Sequence, residues 1–328
     1  MIEQRYYTPP IPNGWFQVAY DDELAPGDVR PLKYFGKDLV LFRTEAGEIS
    51  VLDAFCPHLG AHLGHGGKVK GEALECPFHA WQFNREGSCI AVPYAKHIPR
   101  KAALGQYRAK SVGGLIMVWH HAEGAAPTFE IPDAIPEWGT SADARNDEWT
   151  DYIRRQWQIR TRNQEMAENQ VDSAHFHYVH GATNMPQSEA KVDGPIMEVI
   201  SKTGMSTPMG PVEGQVHSTS WGFGFSQIRF SGIVDTLLVS SVTPIDEDNV
   251  DVRFSFMVKK VGGHGVTKGV GKAFVKEIER QLEQDTPIWE NKTQWANPLL
   301  CDGDGPIGLF RRWSKQFYSW PAEQQAAE

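Results

Sequence analysis

The sequence predicts an α+β protein, with an all-β N-terminal domain and a C-terminal domain in which helices pack on a curved antiparallel sheet. Three observations predict this fold class. Short apolar or alternating runs rich in Val, Phe and Trp fill residues 15–119. Longer alternating runs follow between residues 212 and 259. Finally, residues 266–295 repeat their apolar positions with a helical period of about 3.6.

The N-terminal strands are predicted in order at WFQVAY, DLVLFRT, ISVLDAF, LECPFHAWQF and GLIMVWH. The turn signals APGD, EAGE and NREGS separate some of these runs. Residues 120–149 are rich in Pro, Ala, Asp and Gly, a composition typical of a linker. We therefore expect two domains, at residues 1–125 and 126–328.

The C-terminal strands are predicted at QVHSTSWGFGFSQIRFSG, VDTLLVSSVTPI and NVDVRFSFMVK, with DEDN as a hairpin turn. Before them, residues 161–181 predict a helix, with a capping box at Thr161 and Gln164 and a stop at Gly181. After them, the apolar period indicates a long C-terminal helix with one stripe against the sheet.

Composition excludes several classes of function. The 328 residues carry a net charge of −9, which argues against a nucleic-acid partner. The longest apolar runs, such as GGLIMVW, are far shorter than the ~20 residues that span a membrane. The four cysteines, two of them spaced with histidines, indicate metal binding in a reducing compartment rather than disulfides. We therefore expect a cytoplasmic protein without a membrane span.

Two cysteine–histidine pairs lie close together in the N-terminal part. The motifs are Cys56-Pro-His58 and Cys76-Pro-Phe-His79, so each loop offers one thiolate and one imidazole. Two metals suit this set: zinc in a closed site, or a Rieske [2Fe-2S] cluster, in which two Cys hold one iron and two His the other. Zinc fingers typically place both cysteines in one knuckle, so mixed pairs on β-loops favour the Rieske cluster.

A dense polar segment, ENQVDSAHFHYVHG, begins the second half of the chain. Its polar residues are Asn169, Asp172, His175, His177 and His180. His175 and His180 stand about 140° apart on an ideal helix, so both reach one metal only if the helix ends or distorts near Tyr178. Gly181 makes such an end plausible.

Two histidines and one carboxylate with open positions form the facial triad of non-haem Fe(II) oxygenases. Asp172 shares a helix face with His175 and is one candidate carboxylate. Asp285 is the other, because it continues an apolar stripe and so points inward, where a carboxylate needs a partner. The stripe consists of Phe274, Ile278, Leu282 and Trp289. Glu283 and Glu290 lie off the stripe and are the alternatives. Taken singly, each histidine is more often an ordinary buried polar group than a metal ligand.

The whole chain resembles the oxygenase component of Rieske non-haem iron oxygenases. The stretches that carry the likeness are FCPHLGAHLGHGGKVKGEALECPFHAWQF, NQVDSAHFHYVH and QDTPIWENKTQWANPLLCDGDGPIGLFRRWSKQFY. They look particularly like the branch with the 3-ketosteroid 9α-hydroxylase oxygenases and the cholesterol 7-desaturases. The segment between His180 and Trp221 is shorter than in the steroid hydroxylases, and it shapes the substrate entrance.

This resemblance implies an N-terminal Rieske domain and a C-terminal catalytic domain with a helix-grip fold. By the same resemblance, the cluster is held by Cys56, His58, Cys76 and His79, and the mononuclear Fe(II) by His175, His180 and Asp285. Asp172 falls on the family's bridging carboxylate, which hydrogen-bonds a cluster histidine of a neighbouring subunit. A head-to-tail homotrimer is therefore implied, and Asp172 and Asn169 are our catalytic candidates.

The implied reaction uses O2 and electrons from a separate NAD(P)H-dependent reductase containing FAD, with or without a ferredoxin. We expect hydroxylation of an apolar substrate with a bulky ring system, such as a steroid. The candidate pocket residues are Trp221, Phe223, Phe225, Ile228, Phe230, Leu237 and Val239, although alternation predicts that half of them pack under the sheet. Alternatives are desaturation, oxidative demethylation, a smaller aromatic or terpenoid substrate, or a Rieske electron carrier without oxygenase activity.

Overall fold

The computed structural model describes residues 5–207, 210–261 and 264–320. The chain forms two compact units: an N-terminal unit, Phe16–His120, and a C-terminal unit that combines Met1–Trp15 with His121–Glu328. The domain boundary between residues 125 and 126 stays a prediction. Within the described residues, no helix is long and apolar enough to cross a membrane.

Short strands build the N-terminal unit. They are β1 (Gly14–Tyr20), β2 (Val29–Tyr34), β3 (Lys37–Arg43), β4 (Ile49–Asp53), β5 (Lys68–Lys70), β6 (Ala73–Glu75), β7 (Gln82–Phe83), β8 (Cys89–Ala91), β9 (Gln106–Tyr107), β10 (Ala109–Val112) and β11 (Leu115–His120). They form sheets of order β1-β11-β10, β2-β3-β4-β9 and β5-β6-β7-β8. The all-β prediction is confirmed, and the long run LECPFHAWQF proves to be two strands around a loop.

A single apolar core joins two of these sheets. Its fully buried members include Phe42, Leu52, Leu63 and Phe83, and it also contains the two cysteines of the predicted cluster motifs. One motif follows β4 and the other connects β6 to β7. The core therefore anchors both loops at their cysteines.

One large sheet dominates the C-terminal unit. The strands of this unit are β12 (Gly139–Ser141), β13 (Ala144–Arg145), β14 (Ile153–Ile159), β15 (Gln187–Asp193), β16 (Ile196–Thr207), β17 (Gly210–Trp221), β18 (Phe225–Ser231), β19 (Thr236–Pro244) and β20 (Val250–Val258). Seven of them pair antiparallel in the order β14-β20-β19-β18-β17-β16-β15. The α+β fold with a large antiparallel sheet is thereby confirmed.

The hairpin β12–β13 corrects one sequence-based expectation. Residues 120–149 were expected to form only a linker, yet they contain this paired hairpin and the buried side chains of Ile131, Ile135 and Trp138. Small and polar residues dominate the composition of the segment, and these few apolar anchors are enough to order it.

The helices are α1 (Asn163–Glu168), α2 (Ser173–Tyr178), α3 (His264–Asn291) and α4 (Ile307–Ser314). A cluster of buried side chains joins α1 and α3 to the sheet, including Met166, Leu238, Val275 and Leu282. The long C-terminal helix and its inward stripe are confirmed by α3, because Phe274, Leu282, Asp285 and Trp289 are all buried.

The prediction of a single helix at residues 161–181 is wrong in one respect, because this segment forms two helices, α1 and α2. The carboxylate of Asp172 accepts a hydrogen bond from the His175 N–H and starts α2 as its N-cap. The capping box at Thr161 and Gln164 is also wrong: Arg162 is the N-cap of α1 and makes no side-chain cap bond.

Candidate functional site

The two cysteine–histidine loops share one backbone pattern. The N–H of Cys56 donates to the carbonyl of Ala61, and its carbonyl accepts from the N–H of Gly60. The Cys76 loop repeats both bonds, with Trp81 and Ala80 in the equivalent places. Gly60 and Ala80 both have a positive φ, of 75° and 57° respectively. Each loop thus turns back on its cysteine and presents its histidine next to it.

The side chains of these loops fit a Rieske cluster. The thiols of Cys56 and Cys76 contact each other, and burial together with this neighbour raises the pKa of Cys56 to about 11. The His58 and His79 ring centroids lie 4.7 Å apart. His58 Nδ1 is buried and meets no hydrogen-bond partner in the described part of the chain. Two adjacent thiols and an unpaired ring nitrogen match the ligands that a mixed Cys2His2 cluster requires.

Neighbouring side chains hold this arrangement in place. The Trp81 ring stacks on His58 with centroids 4.7 Å apart, and its indole N–H donates to the Tyr94 hydroxyl at 2.7 Å. His62, a further histidine of this stretch, accepts a hydrogen bond from the Gly64 N–H and so closes a loop turn. The hydrogen bond that the structure shows for the His62 ring is thus within its own loop, not with the two thiols.

A second set of metal-binding side chains meets in the C-terminal unit. His175, His180 and Asp285 each offer one ligand atom, and these atoms all lie within 4.8 Å of one another. His180 Nε2 is 3.3 Å from Asp285 Oδ2. The side chains of His175, His180 and Asp285 are 11%, 4% and 10% exposed. The carboxylate alternative Asp172 is outside this group.

The end of α2 explains how two histidines five positions apart converge. The helix ends at Tyr178, and Gly181 follows with a φ of 74°. The N–H of Gly181 donates to the carbonyl of His177, the 5→1 bond that closes a helix at a glycine, and the N–H of Ala182 donates to the carbonyl of Phe176. His180 therefore leaves the helical path, and the helix end that the sequence predicts near Tyr178 is confirmed.

Hydrogen bonds fix the orientation of both imidazoles. His175 Nδ1 lies 2.6 Å from the Asp172 carbonyl oxygen, which can only accept, so this nitrogen carries the proton. His180 Nδ1 lies 3.1 Å from Gln284 Oε1 in the same way. In the neutral form of each ring, Nε2 therefore keeps its lone pair. Such outer hydrogen bonds are typical of histidines that bind metals.

The pKa values of the two histidines move in opposite directions. Burial lowers the pKa of His175 from its ordinary value and outweighs the charges of Asp285 and Asp172, which raise it. Burial also lowers the pKa of His180, but the hydrogen bond and charge of Asp285 outweigh it, so the net pKa is raised. When His180 is protonated, its Nε2–H donates to Asp285, and a bound metal ion takes the place of that proton.

Asn169 and Asp172 contact this group from two sides. The Asn169 amide donates to Asp285 Oδ2 at 3.1 Å and accepts from the Trp289 indole N–H at 3.3 Å. Asp172 caps α2, and 34% of its side chain is exposed. Gln284 and Trp289 were not among the predicted site residues. The sequence does offer a signal for both residues. Gln284 directly precedes Asp285, and Trp289 follows it by four positions on the same apolar stripe of the helix.

A cavity of about 740 Å³ opens beside the three side chains, within the C-terminal unit. Its apolar lining includes Met166, Val199, Phe223, Ile228, Phe230, Leu238, Val242, Phe254, Phe274, Ile278 and Trp289. On β18 and β19 the even-numbered residues line it, because successive side chains alternate between faces. Of the predicted pocket residues, Phe223, Ile228 and Phe230 line the cavity, whereas Trp221, Phe225, Leu237 and Val239 do not.

Two family models match the chain. The Rieske [2Fe-2S] domain matches residues 14–108, and the 3-ketosteroid 9α-hydroxylase C-terminal domain matches residues 118–318. This chain belongs to that family of Rieske oxygenases. Its members are oxidoreductases that incorporate molecular oxygen, so the predicted enzyme class and the resemblance are both confirmed.

Individual relatives agree with the family. The oxygenase component of a 3-ketosteroid 9α-monooxygenase from Rhodococcus rhodochrous is 32% identical, over 93% of this chain and 83% of that protein. Cholesterol 7-desaturase nvd from Xenopus laevis is 29% identical, over 95% of this chain and 73% of that protein. Among solved structures, dicamba monooxygenase bound to dicamba aligns with a TM-score of 0.73 at 17% identity, over 98% of this chain and 100% of that one. The structural likeness concerns the fold.

Proposed function

We propose that this Rieske oxygenase hydroxylates a bulky apolar ring compound of the steroid class at a mononuclear Fe(II) centre. The convergence of His175, His180 and Asp285 at the edge of a large apolar cavity is the observation that carries the proposal. Two imidazoles and one carboxylate, with room beside them, are the donor set of non-haem iron oxygenases. The other candidate class, an electron carrier, has no use for such a set beside a cavity.

We infer that the cluster ligands are Cys56, His58, Cys76 and His79. When bound, the [2Fe-2S] cluster supplies single electrons and the Fe(II) centre supplies a site for O2 activation. An oxygenase component implies a separate reductase. We propose that this partner oxidises NAD(P)H and contains FAD, with or without a ferredoxin between the two proteins.

The side chains around the iron ligands have positioning roles in this proposal. The Asp172 carbonyl and Gln284 Oε1 keep both histidine Nδ1 atoms protonated, so that each Nε2 is free to bind iron. Asn169 fixes one oxygen of Asp285. The apolar cavity walls exclude water from the space in which the substrate ring lies.

The cavity lining supports an uncharged substrate. Arg280 lies in the lining, but Glu277 pairs with it, so the cavity offers no free cation for a carboxylate substrate among the described residues. The aromatic and branched aliphatic side chains suit fused apolar rings. Relatives named as 3-ketosteroid 9α-monooxygenases and cholesterol 7-desaturases support a steroid.

Desaturation is a second candidate, because two cholesterol 7-desaturases are similar along 95% of this chain. Hydroxylation and desaturation need the same iron ligands and the same kind of apolar pocket. They differ in whether an oxygen atom remains in the product. Isotope incorporation therefore distinguishes them.

We further propose a homotrimer in the cytoplasm, with Asp172 close to a cluster histidine of a neighbouring subunit. Two features support this role for Asp172. Its backbone carbonyl contacts a candidate iron ligand, His175, and a third of its side chain is exposed and available to another chain.

A product screen tests the proposal. The purified protein is combined with a reductase, NADH and ¹⁸O2, and offered steroids, terpenoids and aromatic acids. We expect conversion of steroids with one ¹⁸O atom in the product; a new double bond without ¹⁸O supports desaturation instead. Conversion of only small charged aromatics would contradict the proposed substrate class.

A further inference from the structure

A polar contact interrupts the apolar cavity at Gln170. The side chain of Gln170 lines the cavity, and its Oε1 lies 3.1 Å from Ser218 Oγ and 3.0 Å from Ser220 Oγ. Ser226 Oγ in turn donates to Ser220 Oγ at 2.8 Å. Both serines that contact Gln170 are buried on strand β17, with 5% and 4% exposure. The amide is therefore held at one end by two hydroxyl groups.

The protons of these hydroxyls determine which end of the amide faces them. Ser218 and Ser220 each carry one proton, and a buried hydroxyl proton needs an acceptor. The acceptor that the described residues provide for Ser218 is Gln170. The oxygen of the amide must then face the serines, and its NH2 group faces away from them.

The NH2 group of Gln170 has no acceptor among the described residues, although Gln170 lies in the wall of a largely apolar cavity. Water can satisfy such a donor while the cavity is solvated. A ligand that fills the cavity displaces this water, so it must offer an acceptor or leave the donor unpaired. An apolar ring compound without a suitable oxygen therefore binds less well.

We propose that Gln170 is a specificity-determining residue whose NH2 group donates to a carbonyl oxygen of the substrate. The inference rests on the proposed function and narrows its substrate class to apolar polycyclic ketones. Gln170 directly follows Asn169, whose amide donates to Asp285, and both residues line the same cavity as the three candidate iron ligands.

Calorimetric binding without reductase or turnover tests this proposal. The probes are 5α-androstan-3-one, 5α-androstan-17-one, the two corresponding alcohols and the hydrocarbon 5α-androstane. We expect the wild-type protein to bind at least one ketone about tenfold more tightly than the hydrocarbon. In Gln170→Leu this ratio falls to about one, since the donor is gone.

Two further variants separate recognition from folding. Gln170→Glu keeps an acceptor for Ser218 and Ser220 but lacks the amide donor, and we expect it also to lose the ketone preference. Gln158→Leu changes an exposed glutamine on β14, away from the cavity, and retains the wild-type ratio. A purely structural role of Gln170 would leave the ketone-to-hydrocarbon ratio unchanged in Gln170→Glu.

Several results would overturn the proposal. One is a preference for ketones that persists in both Gln170→Leu and Gln170→Glu. Another is a wild-type protein that prefers only the alcohols, which would mean that the amide oxygen of Gln170 faces the cavity. Binding of none of the ketones would overturn it together with the steroid substrate class. Gln170-dependent ketone binding without any product in the presence of reductase, NADH and O2 would instead contradict the proposed function alone.

Discussion

Asn169 Nδ2 donates to Asp285 Oδ2 at 3.1 Å, and thereby links the chain after α1 to a candidate iron ligand on α3. The Trp289 indole holds the oxygen of the same amide, so the direction of the donor is fixed. Asp285 is buried, and a buried carboxylate keeps one orientation only when hydrogen bonds specify it. The iron site that we propose thus depends on a residue that is not itself a ligand.

The first prediction concerns this contact. Asn169→Ala leaves Asp285 without its donor, and we expect the affinity for Fe(II) to fall about 10- to 100-fold. Titration of the metal-depleted protein with Fe(II) measures this change. The matched control is Asn297→Ala, which alters an exposed asparagine and keeps wild-type affinity. Unchanged iron affinity in Asn169→Ala would show that the contact does not orient the ligand.

The second prediction uses two glycines of one loop. Gly305 has a φ of 78°, and a Cβ there would lie 2.4 Å from the carbonyl oxygen of Val171, just before Asp172. Gly305→Ala should therefore lower the free energy of unfolding by about 2 kcal/mol or more and disturb the start of α2. At Gly303 a Cβ would meet only Cys301 Sγ at 4.0 Å, so Gly303→Ala should be nearly neutral. Equal thermal stability of the two variants would contradict this account.

The third prediction compares the two cluster loops. Ala80 has a φ of 57°, a conformation that costs a non-glycine residue about 1 kcal/mol, whereas Gly60 occupies the equivalent position without that cost. Ala80→Gly should stabilise the cluster loops by up to about 1 kcal/mol, and Gly60→Ala should destabilise them by a similar amount. Urea denaturation followed by loss of the visible absorbance of the cluster measures both. If both substitutions changed the stability in the same direction, the two loop positions would not be equivalent.

The fourth prediction separates the two faces of the large sheet. Phe225 is fully buried and absent from the cavity lining, so Phe225→Ala should cost about 3–5 kcal/mol of stability. Phe230 lines the cavity and is only partly buried, so Phe230→Ala should cost less stability and change substrate binding more. Thermal unfolding and steroid binding are measured on both variants. If Phe225→Ala lowered steroid affinity more than Phe230→Ala does, the substrate would not bind on the face of the sheet that carries Phe230.

Much of the fold and of the candidate site could be predicted because its signals are local. The spacing of Cys56 with His58 and of Cys76 with His79 is short, and the structure brings these residues together on adjacent loops. The apolar stripe of α3 likewise predicted that Asp285 points inward, and it is buried. Gly181 gave the end of α2 because a glycine with positive φ closes a helix.

Other features depend on contacts between distant parts of the chain. Asn169 and Trp289 are 120 positions apart, and His180 and Gln284 are 104 apart, so no local pattern reveals either pair. Strand β15, with the polar sequence QSEAKVD, lies at the edge of the sheet and is mostly exposed, so it lacks the apolar alternation that predicts a strand. The split between α1 and α2 arose because Asp172 caps a second helix instead of continuing the first.

We infer that His175, His180 and Asp285 hold the iron at which the reaction occurs. The most direct measurement combines iron content, the electron paramagnetic resonance signal of the reduced cluster and product formation in His175→Ala. We expect one iron fewer per chain, an unchanged cluster signal and no product with reductase, NADH and O2. Product formation at the wild-type rate, with undiminished iron content, would contradict it.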